Sequence, residues 1–126
     1  MIPKKRKRPR MGVRKPSQIR SLEHLRFVRS QPCLLRGRPS VGRGFIHECY
    51  GPIQAAHVRT GTDGGAGIKP SDCYTVPLCV NAHGYQHNVG EGAFEKTSGL
   101  NLRKIADALW ARSPARAEVE RKRKGM

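Results

Sequence analysis

The sequence predicts a small α+β fold, and three observations predict it. Two short alternating segments flank a glycine-rich loop, an amphipathic segment of helical period lies near the C-terminus, and both ends are too polar to pack. At 126 residues the chain suffices for one small domain, and setting the polar ends aside leaves a packed part of about 80 residues. So thin a core is commonly supplemented by a disulfide or a metal ion. The four cysteines therefore carry more weight than they would in a large enzyme.

Residues 1–20, "MIPKKRKRPRMGVRKPSQIR", contain nine Lys or Arg and no acid and are expected to be a disordered basic arm. From Ser21, "SLEHLRFVRSQP" has an N-cap serine, a glutamate two positions later and Leu22, Leu25 and Val28 three apart, which predicts a short helix stopped by Pro32. "CLLRGRPSVGRGFIHECYGP" is rich in Gly, Pro and Arg and predicts a loop or loose hairpin. "PIQAAHVR" alternates, is bounded by Pro52 and by "TGTDGGAG", and predicts a strand running into a glycine loop. "CYTVPLC" predicts a second strand. "VNAHGYQHNVGEGAFEKTSG" predicts a histidine-bearing helix that loosens at Gly90 and Gly92. In "LNLRKIADALWARSP" the stripe Leu102, Ile105, Ala106, Leu109 and Trp110 predicts an amphipathic helix stopped by Pro114. The domain is thus expected over residues 21–113, with 114–126 a mobile basic tail.

The formal net charge of +16 implies a polyanionic partner, because each phosphate neutralised releases a condensed counterion whatever the base sequence. Lys4, Lys5, Arg6, Lys7, Arg8 and Arg10 in the arm, with Arg59 after the first strand, are the expected nucleic-acid contacts. No stretch is apolar for long enough to span a bilayer, and no hydrophobic segment follows the basic N-terminus as it would in a signal peptide. A cytosolic setting is expected. There thiols stay reduced, and cysteines sharing a region with histidines are better metal ligands than cystines.

Residues 55–87 hold three of the five histidines. His57 ends the first predicted strand. Cys79, His83 and His87 are spaced four apart at the start of the histidine helix, so successive side chains share a face about 6 Å apart and can present two imidazoles to one ion. Cys73 and Cys79, six apart across a strand, would stand about 20 Å from each other if fully extended, whereas sulfurs on one zinc lie within about 4 Å. Cys33, Cys49 and Cys79 are the credible structural zinc trio, with His47 or His83 as the fourth ligand. Cys73 reads as a small buried hydrophobe, and His24 and Trp110 as packing residues.

The stretch "QAAHVRTGTDGGAGIKPSDCYTVPLCVNAHGYQHNVGEGAF" resembles the HNH, or ββα-metal, endonuclease superfamily. The likeness is nearest to small phage-encoded members around the recombination-enhancement nuclease, with their pattern "EAAH…GG…KP.D…VPLC..HH...H..GE..F". It covers about residues 49–95. It implies a small ββα-metal core with flanking helices, in which His57 is the general base that takes a proton from the attacking water. It also implies that His83 and His87 hold a divalent cation, Mg²⁺, Mn²⁺ or Zn²⁺, that stabilises the leaving 3′ oxygen. Asp72 matches the acid of "KP.D" and is either a third ligand, an orienting partner of a histidine, or a turn cap. Ala56 and Ala82 stand where many HNH proteins carry a ligand, leaving Asp72 or Asp63 to replace one. The resemblance further implies a phage or prophage origin, a nucleoid-associated place in a bacterial host and a host recombination protein as partner. Two functions follow as expectations: a metal-dependent DNA endonuclease, or a zinc-stabilised nucleic-acid-binding module without catalytic activity.

Overall fold

A computed structural model describes residues 18–38, 48–64 and 68–124. Its element order is α1 (Leu22–Arg29), β1 (Ile53–His57), β2 (Thr75–Cys79), α2 (Val80–Val89), α3 (Glu91–Ser98), α4 (Leu102–Arg112) and α5 (Arg116–Lys124). The fold is α+β, with a two-stranded antiparallel sheet and five helices among the described residues. The expected arm lies almost wholly outside them, as do Lys4, Lys5, Arg6, Lys7, Arg8, Arg10 and His47.

The sheet forms the centre. Register pairs Ile53 with Cys79, Ala55 with Pro77 and His57 with Thr75. All five residues of β2 are buried, because α1, α2 and α4 all pack against this strand. A proline inside a strand needs an edge where its missing N–H is not required. Pro77 has one, and its carbonyl accepts a hydrogen bond from Leu34 N–H (3.0 Å), which brings the segment carrying Cys33 alongside β2. Val76, Leu78, Ala56 and Val58 join Leu35, Ala82, Phe94, Leu102 and Ala106 in one core.

Local chemistry sets the helix ends. Ser21 caps α1 by accepting from His24 N–H (3.1 Å), and Asn101 caps α4 by accepting from Lys104 N–H (3.0 Å). The predicted single histidine helix is two helices. Gly90 has φ +85 between α2 and α3, a left-handed conformation costly to any residue with a Cβ, so the chain turns there and Phe94 enters the core.

Two expectations are corrected. The buried face of α1 is His24 and Val28, whereas Leu22 is 68% exposed. The His24 ring is buried because it meets Trp110 edge-on (4.9 Å) and hydrogen-bonds Ser113 Oγ through Nδ1 (2.8 Å), both from the C-terminal end of α4. Residues 116–124 of the expected mobile tail form helix α5. Ion pairs four residues apart, Arg116 with Glu120 and Glu118 with Lys122, support it, while none of its residues is buried.

Candidate active site and candidate metal centre

His57 is the last residue of β1, and the turn that leads into β2 delivers Asp72 to it. Tyr74 N–H closes that turn on Ser71 O (3.0 Å), and Thr75 Oγ1 donates to Asp72 O (2.8 Å). The result is a bond of 2.9 Å between His57 Nε2 and Asp72 Oδ1. Asp72 is buried, and three donors offset the cost of burying its charge. They are His57 on Oδ1, Arg20 on the same oxygen (3.3 Å) and Ser21 N–H on Oδ2 (2.9 Å). Burial alone would raise its pKa. The hydrogen bonds from His57 and Ser21, with the charges of His57 and Arg20, outweigh that and hold the carboxyl below its ordinary range. Of the roles open to Asp72, this geometry is that of the orienting partner, since both oxygens are already engaged.

One turn into α2, His83 is half-buried and His87 exposed. Gln54 of β1 lies 2.7 Å from His83 Nδ1 through its Oε1. An amide oxygen only accepts, so Nδ1 carries the hydrogen and Nε2 is left with its lone pair. That Nε2 stands 3.1 Å from Nε2 of His87. Two imidazoles bound tetrahedrally at 2.0–2.1 Å place their nitrogens about 3.3 Å apart, so the pair has the spacing of two ligands on one cation. Burial, then the charges of His87 and His57, lower the His83 pKa and favour the neutral, ligating ring. Asp63 does not turn to this pair: its carboxylate accepts from Ser71 N–H (2.8 Å) and from the Ser71 hydroxyl. Ala56 and Ala82 are fully buried in the core.

A second cluster sits at the N-terminus of α2. The sulfurs of Cys33, Cys49 and Cys79 lie within 4.8 Å of one another, and sulfurs sharing a tetrahedral zinc at 2.3 Å stand about 3.8 Å apart. Three close cysteines could therefore hold a metal ion. Cys79 also caps α2, its sulfur accepting from Ala82 N–H (3.3 Å). Although Cys49 is itself exposed, partial desolvation and the adjacent Cys33 and Cys79 groups push its thiol up to about 12, since a thiolate is disfavoured there until a cation offsets the crowded charge. All four cysteines are free thiols. Cys73 is buried away from the trio, and burial raises its thiol to about 11. His83 is not in the cluster; it faces Gln54 and His87.

The structure thus brings together His57 with Asp72, His83 with His87, and the three cysteines, as three neighbouring groups. Arg59 is exposed after β1, and its N–H, like that of Thr60, donates to the Glu91 carboxylate (2.7 and 3.0 Å). That contact pins the strand end bearing His57 to the start of α3. Sequence reasoning missed Gln54, Arg20, Ser21 as a donor to Asp72, and Glu91. Gln54 had a signal, since it opens the quartet that His57 closes. Arg20 had none, being one more arginine in a basic run.

The family model DUF968, described as a protein of unknown function, matches residues 6–113. The chain belongs to this family. No curated protein and no solved structure matches it.

Proposed function

We propose that this member of the DUF968 family is a metal-dependent, HNH-type DNA endonuclease. The observation that carries the reading is a carboxylate-backed histidine at the end of β1 with, on the helix after β2, a histidine pair at ligand spacing that is tied to the same strand through Gln54. In this reading His57 takes the proton of the attacking water, and Asp72 keeps the ring oriented and stabilises the imidazolium that forms. His83 and His87 hold the divalent cation, with Gln54 fixing the His83 tautomer. When bound, that cation neutralises phosphate charge and stabilises the leaving oxygen. Asp63 and Asp72 are engaged elsewhere, so in this reading the two histidines are the side chains that would hold it. Cys33, Cys49 and Cys79 hold a structural zinc, and Lys4, Lys5, Arg6, Lys7, Arg8, Arg10 and Arg59 supply phosphate contacts. The likeness to phage-encoded nucleases supports DNA as substrate, a bacterial cytoplasm as the setting and a host recombination protein as partner.

A second reading rests on the cysteine trio and on a cation site with two side-chain ligands among the described residues: a zinc-stabilised nucleic-acid-binding module that does not cut. Plasmid nicking by purified protein in EDTA, Mg²⁺, Mn²⁺ and Zn²⁺, with His57→Ala alongside and bound metal measured on the same samples, separates the two. The nuclease reading expects metal-dependent cutting lost in the variant. Cutting at the wild-type rate by His57→Ala would refute the role given to His57. Zinc content and tight DNA binding without cutting in any metal would favour the module.

A further inference from the structure

We infer that Gln18–Ser21 is a positioning strap for the base, which through Asp72 fixes the His57 ring with Nε2–H on the carboxylate and leaves Nδ1 as the atom that accepts the proton. The catalytic consequence rests on the nuclease reading above; the ring geometry does not.

The strap has no regular secondary structure, yet it is bonded along its length to residues 69–72. Gln18 Nε2 donates to Lys69 O (2.9 Å) and Asp63 O (3.3 Å). Ile19 N–H donates to Ser71 Oγ (2.9 Å), and Ile19 O accepts from Asp72 N–H (2.8 Å). The Arg20 guanidinium donates to Lys69 O (2.9 Å), Pro70 O and Asp72 Oδ1 (3.3 Å). Ser21 N–H closes on Asp72 Oδ2 (2.9 Å). A surface arginine used for phosphate contact keeps its fork toward solvent. Arg20 turns inward instead, with its side chain only 19% exposed.

The consequence for His57 is a matter of donors and acceptors. An ionised carboxylate only accepts, so Nε2 at 2.9 Å from Oδ1 must carry the hydrogen, and the lone pair of the neutral ring lies on Nδ1. In the cleavage step the proton of water passes to Nδ1 and the water oxygen pair forms the new P–O bond. The P–O3′ bond breaks, with its electron pair leaving on the 3′ oxygen. The imidazolium then faces a carboxylate that cannot swing away, because Ser21 holds one oxygen and Arg20 the other.

The test is a long-range ¹H–¹⁵N spectrum of the His57 ring in the full chain, with cleavage kinetics on the same preparations. Wild type should show the Nε2–H tautomer. Arg20→Ala should give a mixed tautomer and a kcat about tenfold lower with KM within about twofold, and Arg20→Lys should restore most of both. Gln18→Ala, which removes the amide bonds to Lys69 O and Asp63 O and one acceptor of Arg20 (3.3 Å) but leaves the Arg20 and Ser21 bonds to Asp72 in place, should give a smaller loss and covers the case in which Arg20→Ala does not fold. An Nδ1–H tautomer in wild type would overturn the inference. So would an Arg20→Ala protein with wild-type tautomer and kcat, or one altered in KM alone, which would make Arg20 a substrate contact. A wild type that shows the tautomer response but never cuts supports the strap and overturns only the nuclease reading.

Discussion

The two clusters on helix α2 were built in opposite ways. His83 and His87 are four residues apart on one helix, so the period of the backbone already puts them on one face, and only the ring orientations bring their nitrogens to 3.1 Å. Cys33, Cys49 and Cys79 come from three separate stretches of chain, and nothing local holds them within 4.8 Å. The difference teaches where each should be vulnerable. A site that follows from helix geometry survives loss of its ion, whereas one that ties distant segments contributes to folding and depends on what holds it.

That comparison can be broken by experiment. The largest effect expected is on the cysteine side: Cys79→Ala should abolish bound zinc and lower the unfolding free energy by several kcal/mol, as judged by metal analysis and chemical denaturation. The histidine side should behave differently, since His87→Ala should leave the unfolding free energy within about 0.5 kcal/mol because the side chain is exposed. Equal losses in both variants would remove the distinction.

Next in size is His57→Ala, which should cut cleavage by about 10²–10⁴-fold while leaving DNA affinity within about twofold in a filter-binding assay. Retained cleavage would dissociate the base from the neighbouring histidine pair.

The pH dependence of stability sharpens the contrast further, because its largest part comes from a histidine outside both clusters, to which His83, its pKa also lowered by burial, adds loss of the same sign. Burial lowers the His24 pKa from 6.5 to about 4, against the opposing charge of Asp72, and its Nε2 has no hydrogen-bond partner among the described residues. The unfolded chain therefore takes up a proton near pH 6.5 that the folded chain refuses until about pH 4. Stability should be complete above about pH 6.5 and fall by about 3 kcal/mol as pH drops to 4. Asp72, whose pKa is lowered by folding, adds loss of the same sign at still lower pH. Denaturation midpoints of wild type and His24→Phe across this range decide it, and an unchanged slope in the variant would assign the effect elsewhere.

The smallest effect belongs to the arm. Deleting residues 4–8 should weaken DNA binding by roughly tenfold at physiological salt and flatten the plot of log K against log salt. Unchanged affinity would remove the role given to those five basic residues.

Much of the fold was legible from short-range pattern. Ser21 was readable as a helix start, and the strand ending at His57 followed from alternation bounded by proline and glycine. The helix break at Gly90 was half-legible: loosening was expected, but φ +85 makes it a boundary. The face of α1 was half-legible: His24 was read as a packing residue and is buried, whereas Leu22, read into the same stripe as Leu25 and Val28, is exposed, because the helix turns His24 toward Trp110 and Ser113. In the candidate site, Cys33, Cys49 and Cys79 were selected because Cys73 stands too far along an extended strand, an argument by exclusion that leaves their convergence to the fold.

By itself the sequence determined the α+β order, the helical spacing of His83 and His87, the Ser21 cap and the basic character of the ends. These depend on interactions within about one turn or one strand, where neighbours in sequence are neighbours in space. Only the tertiary structure decided that Arg20 and Ser21 hold Asp72, that Asp72 holds His57, that Gln54 sets His83, and that three distant thiols meet at the start of α2. Each of these contacts joins residues 15 to 52 positions apart, or three separate segments. Such pairings are fixed by how the sheet, α1 and the segment around Cys33 pack about one buried strand, which no local pattern encodes.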